Sequence, residues 1–265
     1  MTNLGSVPKK DKGVNRMKAL VTGATSGIGR DMTRYLISLG YKVFAVGRKR
    51  EKLKELEAEF GDKIKTIEQD VSNKENCIQI YNEVKDENID LLVNNAGFGI
   101  FGNFTETDLD KEINLINTNI TAVHILTKLF LQDMVKRNSG KILNVASIAG
   151  MAPGPLMAAY YSSKAYVVRL TEGIYEELKK QNSNVTVSVL CPGPVATNFN
   201  NVANVKFSMK ALSSEYVAKY AIDKTLRGKL IIVPGFQVKL LKILNKISPD
   251  KLTMKVIYKN QTKKQ

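Results

Sequence analysis

Seven short apolar runs alternate along this chain with stretches of helical periodicity, and that alternation restricts the fold more than any other feature. The runs 18–22, 42–46, 64–68, 89–93, 141–145, 185–190 and 229–233 are almost continuously apolar, as strands of a parallel sheet covered on both faces must be. Amphipathic patterns over 27–39, 49–60, 73–86, 108–137, 158–181 and 213–227 predict the helices between them. The resulting series of βαβ units predicts an α/β fold, a doubly wound parallel sheet of about seven strands with helices on both faces. Ligands of such sheets sit beyond the carboxyl ends of the strands. The series defines an expected body at 17–235, preceded by a disordered basic lead at 1–16 and followed by a basic amphipathic extension at 236–265.

Composition narrows the classes of function. No apolar run approaches the roughly 20 residues needed to span a bilayer, and the first sixteen residues lack the apolar centre of a signal peptide. A cytoplasmic protein is expected. Cys77 and Cys191 fall in different elements with no metal-ligand spacing, and His124 sits mid-helix among apolar residues as a packed or surface histidine, so no metal site is expected. The net charge of +15 is concentrated at the ends: residues 1–18 carry +4 and residues 236–265 carry +7. Such ends read first as solvated flanks, then as a peripheral contact with an anionic membrane surface, and last as a nucleic-acid site; no specific nucleic-acid partner is expected.

The chemistry begins where the first strand meets the first helix. "VTGATSGIG" places Gly23, Gly27 and Gly29 at that turn, where backbone that approaches a pyrophosphate cannot carry a Cβ and the helix start offers its N–H groups. The second strand ends in "VFAVGRKR", without the acid that would bind a ribose 2′-hydroxyl. Arg48 and Lys49 stand there instead, suited to a 2′-phosphate, which predicts NADP(H) with NAD(H) as the alternative. The same basic residues also suit the start of a solvated helix, as Lys52 and Lys54 do. Asp70, ending the third strand, is placed to accept from an adenine amino group, or else Asp70 or Ser72 caps the next helix. "LLVNNAGFG" ends the fourth strand in Asn94 and Asn95, which can pin neighbouring strand ends and line a cleft.

A carbonyl reductase needs a proton donor beside the hydride acceptor, and a tyrosine serves best when a cation lowers its pKa. A lysine four residues on along a helix supplies that cation. Y-x-x-x-K occurs at Tyr81/Lys85, Tyr160/Lys164, Tyr175/Lys179 and Tyr220/Lys224, so position must select among them. Ser147 follows the fifth strand thirteen residues before Tyr160, and the Pro153-Gly154-Pro155 loop brings the next helix back over the sheet edge. Tyr175 is about 22 Å further along the same helix. Tyr161 has Ala165 at i+4 and turns about 100° away, which makes it packing or a pocket wall.

From Lys18 to Pro234 the chain resembles the short-chain dehydrogenase/reductase family, in its compact single-domain branch. The resemblance is carried by "TGATSGIG", "DV", "NNAG", Ser147, "YYSSK" and "PGPVAT", in family order and spacing. It implies a Rossmann-like sheet and an NAD(P)-dependent oxidoreductase acting on a small-molecule carbonyl or alcohol. Tyr160 would be general acid and base, Ser147 would hydrogen-bond the substrate oxygen, and Lys164 would bind the cofactor ribose and lower the tyrosine pKa. Asn119 would take the place of the family's helix asparagine, with Asn114 and Asn117 as rivals. Cofactor contacts carried over with the motifs are Gly23, Thr25, Ser26, Gly27, Ile28, Gly29, Arg48, Lys49, Asp70, Val71, Asn94, Ala96, Gly97, Tyr160, Lys164, Pro192, Gly193, Val195 and Thr197. The resemblance also implies a homodimer or homotetramer paired through the helices at 108–137 and 158–181. Phe199, Val202, Val205, Phe207 and Met209, together with Leu240, Leu241, Leu244 and Ile247, suggest an apolar substrate such as a steroid, bile acid or long-chain carbonyl compound. The reading of another class is a dinucleotide-binding regulatory or scaffold protein without turnover; an NAD-dependent alcohol dehydrogenase is the nearer alternative.

Overall fold

The computed structural model describes residues 16–197 and 211–262. The expected basic lead, except Arg16, and the apolar loop carrying Phe199 to Met209 lie outside the described residues.

β1 (Lys18–Thr22), β2 (Lys42–Gly47), β3 (Ile64–Glu68), β4 (Leu91–Asn94), β5 (Lys141–Val145) and β6 (Thr186–Leu190) form, with the short β9 (Ile231–Ile232), a seven-stranded parallel sheet in the order β3-β2-β1-β4-β5-β6-β9. The inner strand runs are apolar at nearly successive positions because both faces are covered; β3, expected to share this pattern, reads IKTIE and does not. Ala19, Val21, Val43, Ala45, Leu91 and Val93 pack beneath α1 (Gly27–Ser38), α2 (Arg50–Phe60) and α7 (Ser214–Leu226). Their neighbours Leu20, Phe44, Val46, Leu92 and Ile142 pack on the other face against α3 (Lys74–Val84), α5 (Ala122–Lys136) and the far end of α6 (Ala158–Lys180). Each inner strand therefore divides its side chains between two dry layers by its period of two, whereas the edge strand β3 keeps Lys65 and Glu68 exposed.

The strand order reverses direction between β1 and β4, which opens a crevice beyond their carboxyl ends. Three features were not anticipated. The stretch expected as one helix over 108–137 contains α4 (Leu109–Ile116), a π-helical turn at Asn117–Thr121, in which the Ala122 N–H bonds to the Asn117 carbonyl, and then α5. Two-residue strands β7 (Val195–Ala196) and β8 (Leu212–Ser213) pair in parallel beside the crevice, too short to leave a periodic signal. The basic extension forms two helices, α8 (Phe236–Ile247) and α9 (Asp250–Thr262), broken at Pro249. Both fold back on the body: Val238 is buried against Gly193, and Gln261 bonds to Tyr161.

Candidate active site

One cleft of about 550 Å³ runs along the carboxyl ends of the strands and gathers most of the residues singled out above. At its floor, Gly23 (φ +63°) and Gly27 (φ +50°) lie in the left-handed region that only glycine enters without strain. A Cβ on Gly23 would stand 3.0 Å from the Ala96 Cα, and one on Gly27 3.1 Å from the Thr197 Cγ2. Ser26 precedes α1 without capping it, and no acid occupies the first turn, so the amide groups at that helix start are directed to the cleft unneutralised.

Gly29 has a different task. It does not line the cleft; a Cβ there would strike the Gly23 carbonyl at 2.2 Å and the Asn95 amide at 2.3 Å, so its missing side chain lets α1 pack against the turn. Asn94 also departs from the expected cofactor contact. Its amide donates to Thr127 (3.0 Å) and to Asn144 (2.9 Å), directly beside it in the β4–β5 register, and pins the two strands from within the core. Its neighbour Asn95 is the one that reaches the cleft, donating to the Thr22 carbonyl at 3.0 Å. Strand alternation decides this, since adjacent residues point to opposite faces.

At one end Arg48, Lys49, Lys52, Asp70 and Val71 border the cleft. Lys52, read from sequence as a solvated helix residue, is part of this rim because it lies one turn into α2 from Lys49. Arg48 is more than half exposed and pairs with Asp70 at 3.3 Å. Burial works against ionisation of Asp70, but hydrogen bonds from Ser72 and the charge of Arg48 outweigh it and hold the carboxyl below its ordinary value. Neither Asp70 nor Ser72 caps the next helix; Asn73 does, accepting from the Asn76 N–H at 3.0 Å.

At the other end Ser147, Tyr160 and Lys164 converge. β5 delivers Ser147, whose hydroxyl oxygen accepts from the Ala149 N–H at 3.1 Å as the chain turns. Tyr160 sits in the first turn of α6, buried and hydrogen-bonded to Ser147. Lys164, one turn on and only 4% exposed, donates to the Val145 carbonyl at 3.0 Å, with its Nζ 5.9 Å from the centre of the Tyr160 ring. Burial pushes the phenol up to about 12, with the Ser147 hydrogen bond opposing it, and pushes the ammonium down to about 8. The expected depression of the tyrosine by its lysine is thus reversed. In this dry corner desolvation penalises the charged form of each group, yet an ammonium near 8 keeps its charge at neutral pH.

The three helix asparagines separate by geometry. Asn114 and Asn117 are half-buried, whereas Asn119 is fully buried in the π-turn. Its amide donates to the Phe98 carbonyl (2.9 Å) and to Ser163 (3.0 Å), and its carbonyl oxygen accepts from the Phe98 N–H (3.1 Å). A Cβ on Gly97 would lie 2.9 Å from that oxygen and 3.1 Å from the Lys164 Nζ, so the asparagine and the lysine face the same spot. Thr118, which the sequence reading missed, lines the cleft with a buried hydroxyl that has no hydrogen-bond partner among the described residues.

The rival tyrosines are engaged elsewhere: Tyr81 donates to Asp133, Tyr175 packs in the core layer under α3 and α5, and the Tyr220 ring lies under Lys224. Tyr161 turns from Tyr160 edge to face at 6.1 Å and walls the cleft, its hydroxyl accepting from the Gln261 amide at 3.1 Å. Pro192, Gly193, Val195 and Thr197 close the cleft beyond β6, and Thr25, Ser26, Ile28, Ala96 and Gly97 complete its lining. Cys191 is buried behind this wall, and His124 is exposed, bonding to Tyr166 at 2.7 Å. The side-chain-free turn, the open helix start, the basic rim and the Thr118 hydroxyl, unpartnered among the described residues, together fit an elongated dinucleotide.

The model of the short chain dehydrogenase family matches residues 17–206. The chain is 36% identical over 190 residues to a probable NADP-dependent dehydrogenase of Haemophilus influenzae, covering 69% of this chain and 74% of that protein. It is also 36% identical over 203 residues to a very-long-chain 3-oxoacyl-CoA reductase of Anas platyrhynchos, covering 71% of this chain and 63% of the relative. Among solved structures, the closed form of a serine dehydrogenase complexed with NADP+ superposes with a TM-score of 0.74 at 33% identity, covering 82% of this chain and 92% of that one. Sheet order, cleft and family match agree: the chain belongs to the short-chain dehydrogenase/reductase family.

Proposed function

We propose that this protein is an NADP(H)-dependent oxidoreductase that interconverts a ketone or aldehyde and the corresponding alcohol on an apolar substrate. The observation that carries the reading is the convergence of Ser147, Tyr160 and Lys164 on the cleft whose far end holds the glycine turn and the basic rim. NADPH, when bound, supplies the hydride. Gly23, Gly27 and the start of α1 would hold its pyrophosphate, and Arg48 with Lys49 its 2′-phosphate. The names of the H. influenzae relative and of the NADP+ complex support the same cofactor.

In the reducing direction Ser147 donates a hydrogen bond to the substrate carbonyl oxygen. Tyr160 transfers its phenolic proton to that oxygen as negative charge develops there; a phenol held near 12 is fully protonated at neutral pH and ready for this role. Lys164, beside it, stabilises the phenolate left behind, and Asn119 fixes the backbone of Phe98 next to the lysine. In oxidation the same groups act in reverse. Phe98, Met157 and Tyr161 line the cleft beside Tyr160, with Ile100 and Phe101 behind them, which favours an apolar group next to the reacting carbon. The long-chain acyl substrate named for the Anas relative accords with this class. Pairing of two chains through α5 and α6 is part of the proposal.

The test is a panel of ketones and aldehydes with NADPH and NADH, run on the wild type and on Tyr160→Phe. The expected result is NADPH-dependent turnover that falls by about a hundredfold or more in the variant, with NADPH binding retained in a fluorescence titration. Turnover unchanged by Tyr160→Phe removes the assigned acid. Cofactor binding with no turnover across the panel leaves a binder in place of an enzyme.

A further inference from the structure

The outward faces of α8 and α9 carry apolar side chains where solvent-facing helices carry polar ones. In α8, Phe236 is 80%, Leu240 49% and Ile243 58% exposed. At about 100° per residue these three share one arc roughly 60° wide. Val238, which seats the helix against Gly193, is 4% exposed and lies on the opposite side. The stripe is therefore directed away from the body. In α9 the usual pattern is inverted: the polar Thr253 and Gln261 are buried, each with an oxygen that lacks a hydrogen-bond partner among the described residues, while Leu252 (56%) and Val256 (51%) face outward. Lys251, Lys255 and Lys259 are exposed on that same outward side, and residues 236–265 carry +7.

We infer that α8 and α9 form a docking surface for an anionic lipid bilayer, the apolar stripes entering the headgroup boundary and the lysines meeting the lipid phosphates. Charge decides the occupant. A second copy would close a two-fold contact by placing the patch against itself, lysines against lysines, whereas an anionic membrane complements charge and apolar stripe together. A nucleic acid would complement the charge alone. The lipid rests on the surface: no helix of the described residues is long and apolar enough to cross a membrane. The inner faces of the same helices touch Gly193 and Tyr161 of the cleft wall, so docking would bring that wall to within a helix's thickness of the bilayer. This inference stands apart from the catalytic reading, because its test needs no turnover.

The full chain is floated with phosphatidylcholine vesicles, with and without phosphatidylserine, at low and high salt. Binding that requires phosphatidylserine and weakens with salt is expected. The triple variant Lys251→Gln, Lys255→Gln, Lys259→Gln, which removes no packing, should weaken partition about fivefold per charge. Leu240→Glu with Ile243→Glu should weaken it about tenfold or more, with the melting temperature and NADPH binding unchanged. Absence of binding to anionic vesicles overturns the inference. So does a double variant that leaves partition intact, or one that alters the number of chains per particle by light scattering, which would assign the face to a second copy.

Discussion

Lys164 bears the most informative electrostatics in the molecule. Its ordinary value of 10.5 falls to about 8 through burial, so between those two pH values the unfolded chain binds more protons than the folded one. Stability contributed by this group therefore rises across that window and is lost as pH falls through about 8. Tyr160 has the opposite sign: raised from 10.0 to about 12, it stabilises fully below 10 and loses that contribution as pH climbs towards 12. Differential scanning fluorimetry should show Lys164→Met flattening the rise between about 8 and 10.5. Arg48 gives a second prediction. Loss of a charged hydrogen-bond partner for the 2′-phosphate costs about 1.5–3 kcal/mol, so Arg48→Ala should lower kcat/KM for NADPH about ten- to a hundredfold and leave that for NADH nearly unchanged. The tyrosine–lysine spacing did not choose among four pairs; strand ends and loop length, which are local facts, favoured Tyr160, and Tyr160 and Lys164 line the cleft. None of these yielded the direction of the tyrosine shift, since the water excluded around Tyr160 is a property of Phe98, Ala149 and Met157, brought in from three separate segments.

At the scale of elements, the seven strands of the main sheet were legible to within about two residues at each end, the inner ones because burial on both faces favours apolar runs. The π-turn at Asn117–Thr121 was not legible, since one additional residue in a helical turn leaves apolar periodicity almost intact. Nor was the split between Asn94 and Asn95, which depends on where the strand ends and which face each residue takes. Gly29 presents the sharpest mechanical test of the α1 packing. A methyl group 2.2 Å from the Gly23 carbonyl cannot be accommodated without moving the helix off the turn, so Gly29→Ala should destabilise by about 1–3 kcal/mol. A chemical melt will report this, and NADPH affinity should fall with it because the turn shifts. Gly173, in the middle of α6 with open space around its Cβ position, is the matching control: Gly173→Ala should stabilise by about 0.5–1 kcal/mol.

Across the whole molecule, charge and chemistry are segregated. The sheet and its two apolar layers hold the cleft, and the basic excess resides in the terminal segments, with the C-terminal one folded back beside the cleft. Tyr161 stands where these parts meet. It walls the cleft, accepts from Gln261 of α9, and also borders an open depression lined by Pro153, Gly154, Pro155, Arg169 and Met254. The Pro-Gly-Pro loop is fitted around its ring so closely that a Cβ on Gly154 would lie 2.0 Å from it. One aromatic side chain thus stands between the cleft and this depression. Removing it in Tyr161→Ala would merge them into a corridor leading from Tyr160 towards Met254, and the enzyme would then be graded by the length of the molecule it accepts, with kcat/KM along a homologous series of alkyl ketones shifting to longer members.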